Sequence, residues 1–435
     1  MHERLIEFLR EPSVLILGFG REGRATYDMI RRSLPDKPIG IADVRELQVP
    51  DPHVTLHCGK GYLDAVREYR IVIKTPGVSL KDVTVPEGVF VTCQTDLFLH
   101  FCTCPCIGVT GTKGKTIVST LIYEMLRAGG KHPCLIGSIG IPVFEAIDAD
   151  AFDVAVIEMS CHQLEFTSAS PHVAVLTNLY SEHLDHYNGF AGYAASKMNI
   201  LRHQGGNDYF LCNAEQPLER YYSFYKAPPT VRRIGALGSS ADAAVVAAAK
   251  LNSHLPGRHS LQNVCLAAEA ARCLEISETA ILSAVASFGG VPHRLEPIGI
   301  HSGIRFYNDV LATIPEATQC AVEAISDADT LIFGGSERRR GYADFEAYLA
   351  QCRVRNLIGL PDSGTEICKR LKADGCQKTI VLADDMEAAV EAAFRLTATG
   401  KSCILSPGAS SYNVYRDYEH KGAHFKSLVA QHDAE

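Results

Sequence analysis

The chain has 435 residues, which at roughly 150 residues per domain predicts about three domains. Hydrophobic residues make up 46% and charged residues 21% of the chain, proportions that exclude a mostly disordered protein. No window approaches the ~18 consecutive apolar residues of a membrane span, and the charged start MHERLIEFLREPS is not a signal peptide. The net charge of −8 argues against sequence-independent nucleic-acid binding. We therefore expect neither a membrane nor a nucleic acid as a partner.

The 15 cysteines are odd in number and scattered, and many stand in apolar runs. This usage is typical of reduced thiols in a cytoplasmic protein. One cluster stands out, Cys102, Cys104 and Cys106, but its C-x-C spacing differs from the C-x-x-C pairs of zinc sites. The sequence assigns this cluster no role.

Strand-like and helical stretches alternate along the whole chain. Strands are predicted over residues 14–17, 39–42, 71–74, 106–110, 154–159, 174–178, 209–212, 304–308, 330–333, 357–359, 379–382 and 403–405. Helices are predicted over 23–32, 115–128, 190–203, 259–273, 277–288 and 315–325. The alternation is typical of an α/β fold with parallel sheets covered by helices. Breaks near 102–105 and 288–292 predict domains over 1–103, 104–289 and 290–435.

The first motif is a glycine-rich turn between a strand and a helix. Gly18, Gly20 and Gly23 have the dinucleotide-binding spacing, and Asp43 ends the next strand, where such folds hold a ribose hydroxyl. The motif indicates a diphosphate nucleotide without distinguishing NAD, FAD and UDP-sugars. Taken alone it favours an oxidoreductase.

The second motif, GVTGTKGKT over residues 108–116, also lies between a strand and a helix. It is close to a P-loop, but position 109 is Val where the strict pattern requires Gly. Backbone N–H groups of 111–116 would hold phosphates, Lys115 would neutralise their charge, and Thr116 would bind Mg²⁺. An NAD enzyme has no use for such a loop.

The form T-G-T-x-G-K-T resembles that of the Mur ligases, which use ATP to add amino acids to a UDP-N-acetylmuramic acid precursor of peptidoglycan. Other segments resemble the family's motifs in the same order along the chain. These segments are VIEMSCHQLE, TNLYSEHLDH, ASKMNI, GRHSLQN, HRLE, ND and LSPGASS. The QLE segment, the spacing to the lysine and the S-P-x-x-A-S-like ending resemble the glutamate-adding branch. The resemblance implies a Rossmann-like N-terminal domain, a central P-loop-type ATPase domain and a Rossmann-like C-terminal domain.

The resemblance also implies roles for individual residues. The ATP-binding set is Gly111, Thr112, Lys113, Gly114, Lys115, Thr116, Asn263, Arg294 and Asp309. The catalytic and metal-binding set is Lys115 with Thr116, Glu158, His183 and Lys197, where Lys197 matches the family's carbamylated lysine and Mg²⁺ is the expected cofactor. A carboxylate at the end of a strand suits Mg²⁺, and His183 would be a second ligand or an anchor for the substrate carboxylate.

By the same resemblance, the first motif becomes a UDP site. The UDP-substrate set is Gly20, Arg21, Glu22, Asp43, Arg45, Gly77, Ser138 and His183. Ser138 stands where the family usually has Asn.

The amino-acid site departs furthest from the family. Position 311 is Leu where the D-glutamate-adding enzymes have Lys, so Arg338, Arg339 and Arg340 are expected to bind the carboxylates. Thr313, Ser411, Tyr412 and Tyr418 complete the predicted set.

The resulting hypothesis is a monomeric, cytoplasmic ligase that joins glutamate to UDP-N-acetylmuramoyl-L-alanine through an acyl phosphate. D-Glutamate ranks ahead of L-glutamate on the commoner family activity alone. Three alternatives stay open at this stage: a ligase of the same family for L-glutamate or another amino acid, an NAD-dependent oxidoreductase, and a nucleotide-binding protein without turnover.

Overall fold

The computed structural model describes residues 1–138, 141–145, 152–222, 229–235, 242–336, 341–411 and 414–432. These residues form two compact units, Met1–Val246 with Gln262–Val285, and Ala247–Leu261 with Ala286–Glu435. The first unit holds two sheets and the second unit holds one. Each of the predicted ranges 1–103, 104–289 and 290–435 therefore contains one sheet, and the domain boundaries themselves stay a prediction.

The first sheet is parallel, with strand order β3-β2-β1-β4-β5. Its strands are β1 Val14–Leu17, β2 Ile39–Asp43, β3 Val54–Cys58, β4 Ile71–Lys74 and β5 Phe90–Thr92, and its helices are α1 His2–Arg10, α2 Arg21–Ser33, α3 Gln94–Phe101 and the 3₁₀ helix Tyr62–Glu68. The buried central strands were all predicted. The edge strands β3 and β5 are short and partly exposed, so they lack the continuous apolar run that predicts a strand.

The second sheet is also parallel, with strand order β11-β10-β9-β6-β8-β7. Its strands are β6 Cys106–Thr110, β7 Pro133–Gly137, β8 Val154–Glu158, β9 Val173–Leu176, β10 Tyr209–Asn213 and β11 Thr230–Ile234. The helices of this region are α4 Lys115–Ala128, α5 Cys161–Leu164, α6 Leu184–Tyr187, α7 Phe190–Arg202, α8 Ala243–Leu251, α9 Gly257–Cys273 and α10 Glu278–Ser287, with 3₁₀ helices Val143–Glu145 and Glu219–Tyr221. Strands β6, β8 and β9 are buried throughout. Their adjacent carboxyl ends form the sheet edge where α/β proteins bind ligands.

The third sheet has strand order β12-β13-β17-β14-β15-β16. Its strands are β12 Glu296–His301, β13 Ile304–Asn308, β14 Ala328–Phe333, β15 Asn356–Gly359, β16 Thr379–Leu382 and β17 Ser402–Leu405, and its helices are α11 Pro315–Ala324, α12 Ala343–Gln351, α13 Ser363–Ala373, α14 Met386–Leu396 and α15 Tyr418–His432. The expectation of parallel strands throughout was wrong for β12, which pairs antiparallel with β13. The two strands are joined by Ser302 and Gly303, whose φ angles of 49° and 77° match a tight hairpin turn.

No described helix has both the length and the apolar character needed to cross a membrane.

A hydrogen bond between two side chains ties the first sheet to the second inside the first unit. The Nε2 of Gln163, on α5, donates to the Oε1 of Glu22, on α2, at 3.0 Å. Burial raises the pKa of Glu22 from 4.5 to about 7, although Gln163 and Lys74 oppose the shift. Because the native protein favours the protonated carboxyl, its stability declines as the pH rises from about 4.5 to about 7.

We expect Glu22→Gln to stabilise the protein at pH 8, because the amide mimics the protonated carboxyl and needs no buried charge. The gain in unfolding free energy should reach about 1–3 kcal/mol at pH 8 and vanish as the pH falls towards 4.5. Thermal unfolding followed by circular dichroism at several pH values measures it, since the chain has no Trp. Glu87→Gln, at an exposed glutamate, is the control. A pH-independent difference would contradict the assignment.

Candidate active site

The phosphate loop lies between β6 and α4, as predicted. Gly111 has a φ of 149°, and a Cβ placed there would lie 1.9 Å from the Oγ1 of Thr177. Gly114 has a φ of 87°, and its Cβ would lie 2.8 Å from the Oδ1 of Asn263. Both positions therefore require glycine. Asn263, on α9, packs directly against the loop.

Residues after β9 hold the loop in place. Backbone N–H of Thr112 donates to the carbonyl of Asn178 at 2.9 Å, and N–H of Lys113 donates to the Asn178 Oδ1 at 2.9 Å. The hydroxyl of Thr177 donates to the carbonyl of Lys113 at 2.6 Å. The residues after β9 thus fix the loop backbone, and they occupy the N–H groups of Thr112 and Lys113. The expectation that all N–H groups of 111–116 hold phosphates was therefore wrong for these two. Thr177 and Asn178 were part of the TN motif, but this bracing role was not predicted.

Two lysines converge on one carbonyl oxygen of the loop. Lys115 Nζ donates to the carbonyls of Gly111 at 3.1 Å and Thr112 at 3.2 Å. Lys197 Nζ, on α7, donates to the same Gly111 oxygen at 2.7 Å and lies 4.9 Å from the ring centroid of Tyr193. Burial, followed by the positive charge of Lys115, lowers the pKa of Lys197 to about 7. A substantial fraction of its amine is therefore neutral near pH 7.

Glu158 ends β8 and is buried, with 4% of its surface exposed. Glu158 pairs in register with Val109, the second-last residue of β6, and the phosphate loop follows that strand. Among the described residues, its Oε2 atom has no hydrogen-bond partner. A buried, unpaired carboxylate oxygen at the edge of a phosphate loop fits Mg²⁺, which prefers oxygen ligands. Thr116, the second residue of α4, is also at this edge of the sheet.

His183 precedes α6 and has a left-handed backbone, with a φ of 54°. Its ring centroid lies 6.3 Å from that of Tyr193, whose hydroxyl is 2.9 Å from the Oγ1 of Thr112. Tyr193 therefore contacts His183, Lys197 and the loop at once. It was not predicted, because no motif marks an isolated tyrosine inside a helix.

Glu182 is a second residue that the sequence did not single out. Its Oε1 accepts a hydrogen bond from Lys113 Nζ at 3.2 Å. Burial alone would raise its pKa, but the charges of Lys113, Lys115 and His183 lower it. Glu182 thus supplies a carboxylate that balances the cations around the loop.

The predicted UDP-substrate residues divide into two groups. A cavity of about 400 Å³ in the first sheet is lined by Gly20, Arg21, Glu22, Asp43, Arg45 and Gly77. The other two residues lie at the edge of the second sheet, where Ser138 N–H donates to the carbonyl of Glu158 at 2.9 Å and His183 faces Tyr193.

Asp43 has all of its accepting capacity occupied. One oxygen accepts from the Phe19 N–H at 2.7 Å and from Arg45 Nη2 at 2.9 Å, and the other accepts from Arg45 N–H and Nε, both at 2.9 Å. The Arg45 guanidinium holds the pKa of this carboxyl well below its usual range. Since a carboxylate offers about four acceptor sites, this geometry favours a positioning role for Asp43 over direct contact with a ligand.

Two predicted ATP-binding residues belong to the second unit. Asp309 follows β13 and accepts from the Leu295 N–H at 3.1 Å and the Ser406 hydroxyl at 2.8 Å. The Nε of the neighbouring Arg294 is buried and has no hydrogen-bond partner among the described residues. The predicted ATP-binding set is therefore divided between the two compact units.

The predicted amino-acid residues that the structure describes, Thr313, Ser411 and Tyr418, lie near the carboxyl ends of the third sheet's strands. Ser411 is 3% exposed, and its hydroxyl has no hydrogen-bond partner within the described ranges. Thr313 lies next to Ala312, whose carbonyl accepts from the N–H of Gly408 at 2.8 Å. The ring of Tyr418, at the start of α15, packs edge-on against His293. Arg338, Arg339, Arg340 and Tyr412 lie outside the described residues.

Lys421 is a buried cation that the sequence did not predict. It lies on α15, is 2% exposed, and donates from Nζ to the carbonyl of Gly334 at 2.9 Å. Burial lowers its pKa to about 8. Gly334 opens the loop after β14, and Ser336 N–H in that loop donates to the carbonyl of Ser410 at 2.8 Å. Lys421 therefore adds a positive charge to the edge that carries Ser411.

Comparison with known proteins identifies the family. A model described as the Mur ligase middle domain matches residues 109–271, and one described as Mur ligase, glutamate ligase domain matches residues 293–409. A UDP-N-acetylmuramoylalanine--D-glutamate ligase of Symbiobacterium thermophilum is 32% identical over 89% of this chain and 89% of that protein. The enzyme of the same name from Geobacillus kaustophilus is 31% identical over 97% of this chain and 98% of that protein.

The same architecture occurs among solved structures. The MurF ligase of Thermotoga maritima, crystallised with ADP, matches with a TM-score of 0.63 and 16% identity, covering 98% of this chain and 97% of that chain. At this identity the likeness concerns the fold alone. Because full-length relatives and both domain models agree with the order of the motifs, we conclude that this chain belongs to the Mur ligase family.

Proposed function

We propose that this protein ligates D-glutamate to UDP-N-acetylmuramoyl-L-alanine, with cleavage of ATP to ADP and phosphate, in the synthesis of peptidoglycan precursors. The curated relatives carry that activity in their names. One observation in this chain carries the proposal: a phosphate loop lies beside Glu158, whose buried Oε2 atom has no hydrogen-bond partner among the described residues. Family membership decides against the NAD-dependent oxidoreductase that the first glycine motif alone favours.

The reaction joins two anions, and the site is built to make that possible. The muramoyl-alanine carboxylate attacks the γ-phosphate of ATP, which gives an acyl phosphate and ADP. The amino group of glutamate then attacks the acyl carbon and displaces phosphate, forming the amide. Lys115 and the loop N–H groups other than those of Thr112 and Lys113 would stabilise the negative charge on the transferring phosphoryl group. Asn263, packed on the loop, is proposed to contact the nucleotide, and Arg294 and Asp309 are assigned to the nucleotide by the family resemblance alone.

Magnesium is the proposed cofactor, and it would screen the charges of the phosphates when bound. Thr116, Glu158, His183 and Lys197 are the proposed ligands. Because an ammonium at Lys197 would repel Mg²⁺, Lys197 is proposed to serve as an anion: its neutral amine adds to CO₂, releasing a proton and forming a carbamate. The lowered pKa of Lys197 supports this, because a neutral amine is the form that reacts.

Two further subsites complete the proposal. The cavity lined by Gly20, Arg21 and Arg45 would bind the UDP part of the substrate. In the third sheet, Ser411 and Thr313 would donate hydrogen bonds to glutamate, and Arg338–Arg340 and Lys421 would supply the charges that Leu311 cannot.

The activity itself is tested by the mass gain of the UDP precursor in the presence of each amino acid. With ATP and UDP-N-acetylmuramoyl-L-alanine, D-glutamate should give the amide product and release phosphate, whereas L-glutamate should not. Product formation without ATP, or equal ligation of an amino acid that lacks the side-chain carboxylate, would contradict the proposal.

Lys115→Ala should lower kcat by roughly 100-fold or more, because its charge is needed most as negative charge develops on the transferring phosphoryl group. The affinity for the UDP substrate should barely change. Steady-state kinetics and a direct binding assay measure the two effects. Lys131→Ala, at an exposed lysine just beyond the same helix, is the matched control. Normal turnover by Lys115→Ala would refute the phosphate-loop assignment.

Lys197→Ala should lose activity and regain part of it when a short-chain carboxylic acid is added, because the acid replaces the missing anionic ligand. Initial rates with increasing acetate or propionate test this. The same acids should not rescue Lys115→Ala, whose missing group is a cation. Full activity of Lys197→Ala without added acid would show that no carbamate acts there.

Ser411→Ala should raise KM for D-glutamate by roughly 10- to 150-fold and leave KM for ATP nearly unchanged, because it removes one hydrogen bond to a charged ligand. Ser402→Ala is the control, since that buried hydroxyl already donates to Asp327 Oδ1 at 2.9 Å at the opposite end of β17. An equal rise in both KM values for Ser411→Ala would indicate a general structural defect.

A further inference from the structure

A cysteine and two histidines meet beside the proposed active site. One ligand atom each of Cys161, His162 and His183, namely the Sγ atom and a ring nitrogen of each histidine, lies within 4.8 Å of the other two. Sulfur and imidazole nitrogen are the donors preferred by Zn²⁺ and related borderline metals, whereas Mg²⁺ takes oxygen. No part of the proposed ligase mechanism uses Cys161 or His162.

The spacing of these atoms approaches that of a tetrahedral zinc site. Zn–S and Zn–N bonds of about 2.3 and 2.05 Å place a sulfur and a nitrogen ligand about 3.6 Å apart. The Sγ of Cys161 lies 3.5 Å from the Nδ1 of His162. The ring centroids of His162 and His183 are 4.8 Å apart and the rings are nearly perpendicular, so side-chain rotation is needed to bring their nitrogens to the spacing of two ligands on one metal ion.

The backbone presents the three side chains from fixed positions. Ser160 caps α5, because its hydroxyl accepts from the Gln163 N–H at 3.2 Å and its own N–H donates to Gln163 Oε1 at 2.9 Å. Cys161 and His162 are the first two residues of that helix, and the Ser196 hydroxyl donates to the Cys161 carbonyl at 2.6 Å. Cys161 is buried, whereas both histidines are partly exposed and leave a side open to solvent. The site is therefore preorganised and reachable.

We propose that Cys161, His162 and His183 bind a thiophilic divalent metal ion such as Zn²⁺, at a site separate from the Mg²⁺ site but sharing His183 with it. We call it the thiol–imidazole site. Binding releases the thiol proton of Cys161 to solvent and leaves a fourth position for water. The consequence for activity rests on the proposed ligase function: zinc takes His183 away from the catalytic edge, so it inhibits ligation even when Mg²⁺ is in excess.

Cobalt provides the direct test, because thiolate-bound Co²⁺ has a charge-transfer band and tetrahedral Co²⁺ has intense visible bands. The chelator-treated, full-length protein should bind one Co²⁺ with both features, and Zn²⁺ should displace it. Cys161→Ser should abolish the charge-transfer band. His162→Gln should weaken metal binding by roughly 100-fold or more, since loss of even an indirect partner of a metal ligand costs 10- to 100-fold.

The matched control is the double variant Cys102→Ser with Cys104→Ser. These two thiols lie 3.3 Å apart in a cluster separate from the thiol–imidazole site, and they could also bind a thiophilic metal. This double variant should keep the cobalt spectrum. A spectrum that survives Cys161→Ser, or that disappears in the double variant, would overturn the proposal. If Cys161→Ser does not fold, His162→Gln decides by itself, since unchanged metal affinity in that variant has the same meaning.

A second readout separates this proposal from the proposed function. His162→Gln should remain an active ligase and become resistant to zinc, whereas the wild type should be inhibited. Equal zinc sensitivity of the two proteins would argue against the shared histidine. The cobalt spectra do not depend on ligase activity, so they test metal binding at the thiol–imidazole site even if the protein catalyses another reaction.

Discussion

The carbonyl oxygen of Gly111 accepts hydrogen bonds from both Lys115 and Lys197, and much of the central site follows from that convergence. Burial, and then the nearby positive charge of Lys115, lowers the pKa of Lys197 and shifts it towards its neutral form. The carboxylate of Glu182 accepts a hydrogen bond from Lys113 and balances part of the positive charge of the lysines around the loop. The arrangement places the amines of Lys197 and Lys115 side by side at the phosphate loop, as the proposed carbamate at Lys197 would require.

The sequence predicted the parts of the fold that have a strong local signal. The buried strands β1, β6, β8 and β9 are continuous apolar runs, and the loop before α4 has glycines that the backbone geometry requires. The edge strands β3, β5, β7 and β11 and the antiparallel β12 were missed, because their partly exposed sequences lack such a run. The partly exposed β16 was predicted because its sequence, TIVL, is almost entirely apolar. The turn at Ser302 and Gly303 was the one available clue to the hairpin.

The candidate site was predictable only where residues belong to a motif. Glu158, His183 and Lys197 were predicted from the resemblance to the family, and the structure arranges them around the loop without testing their roles. Tyr193 and Lys421 gain their importance from contacts between elements far apart in the chain, which no local pattern records. The pairing of Cys161 with His183 was hidden for the same reason, since 21 intervening residues separate them.

The saturated carboxylate of Asp43 bears on how the nucleotide sugar is selected. In dinucleotide-binding folds the equivalent acidic residue reads the ribose hydroxyls, which makes the pocket sensitive to the sugar. Here four donors from Phe19 and Arg45 occupy the carboxylate, so it has no lone pair left for a diol. If the proposed UDP site is this cavity, its selectivity would come from the base and the diphosphate, and Asp43 would not distinguish a ribonucleotide from its 2′-deoxy counterpart.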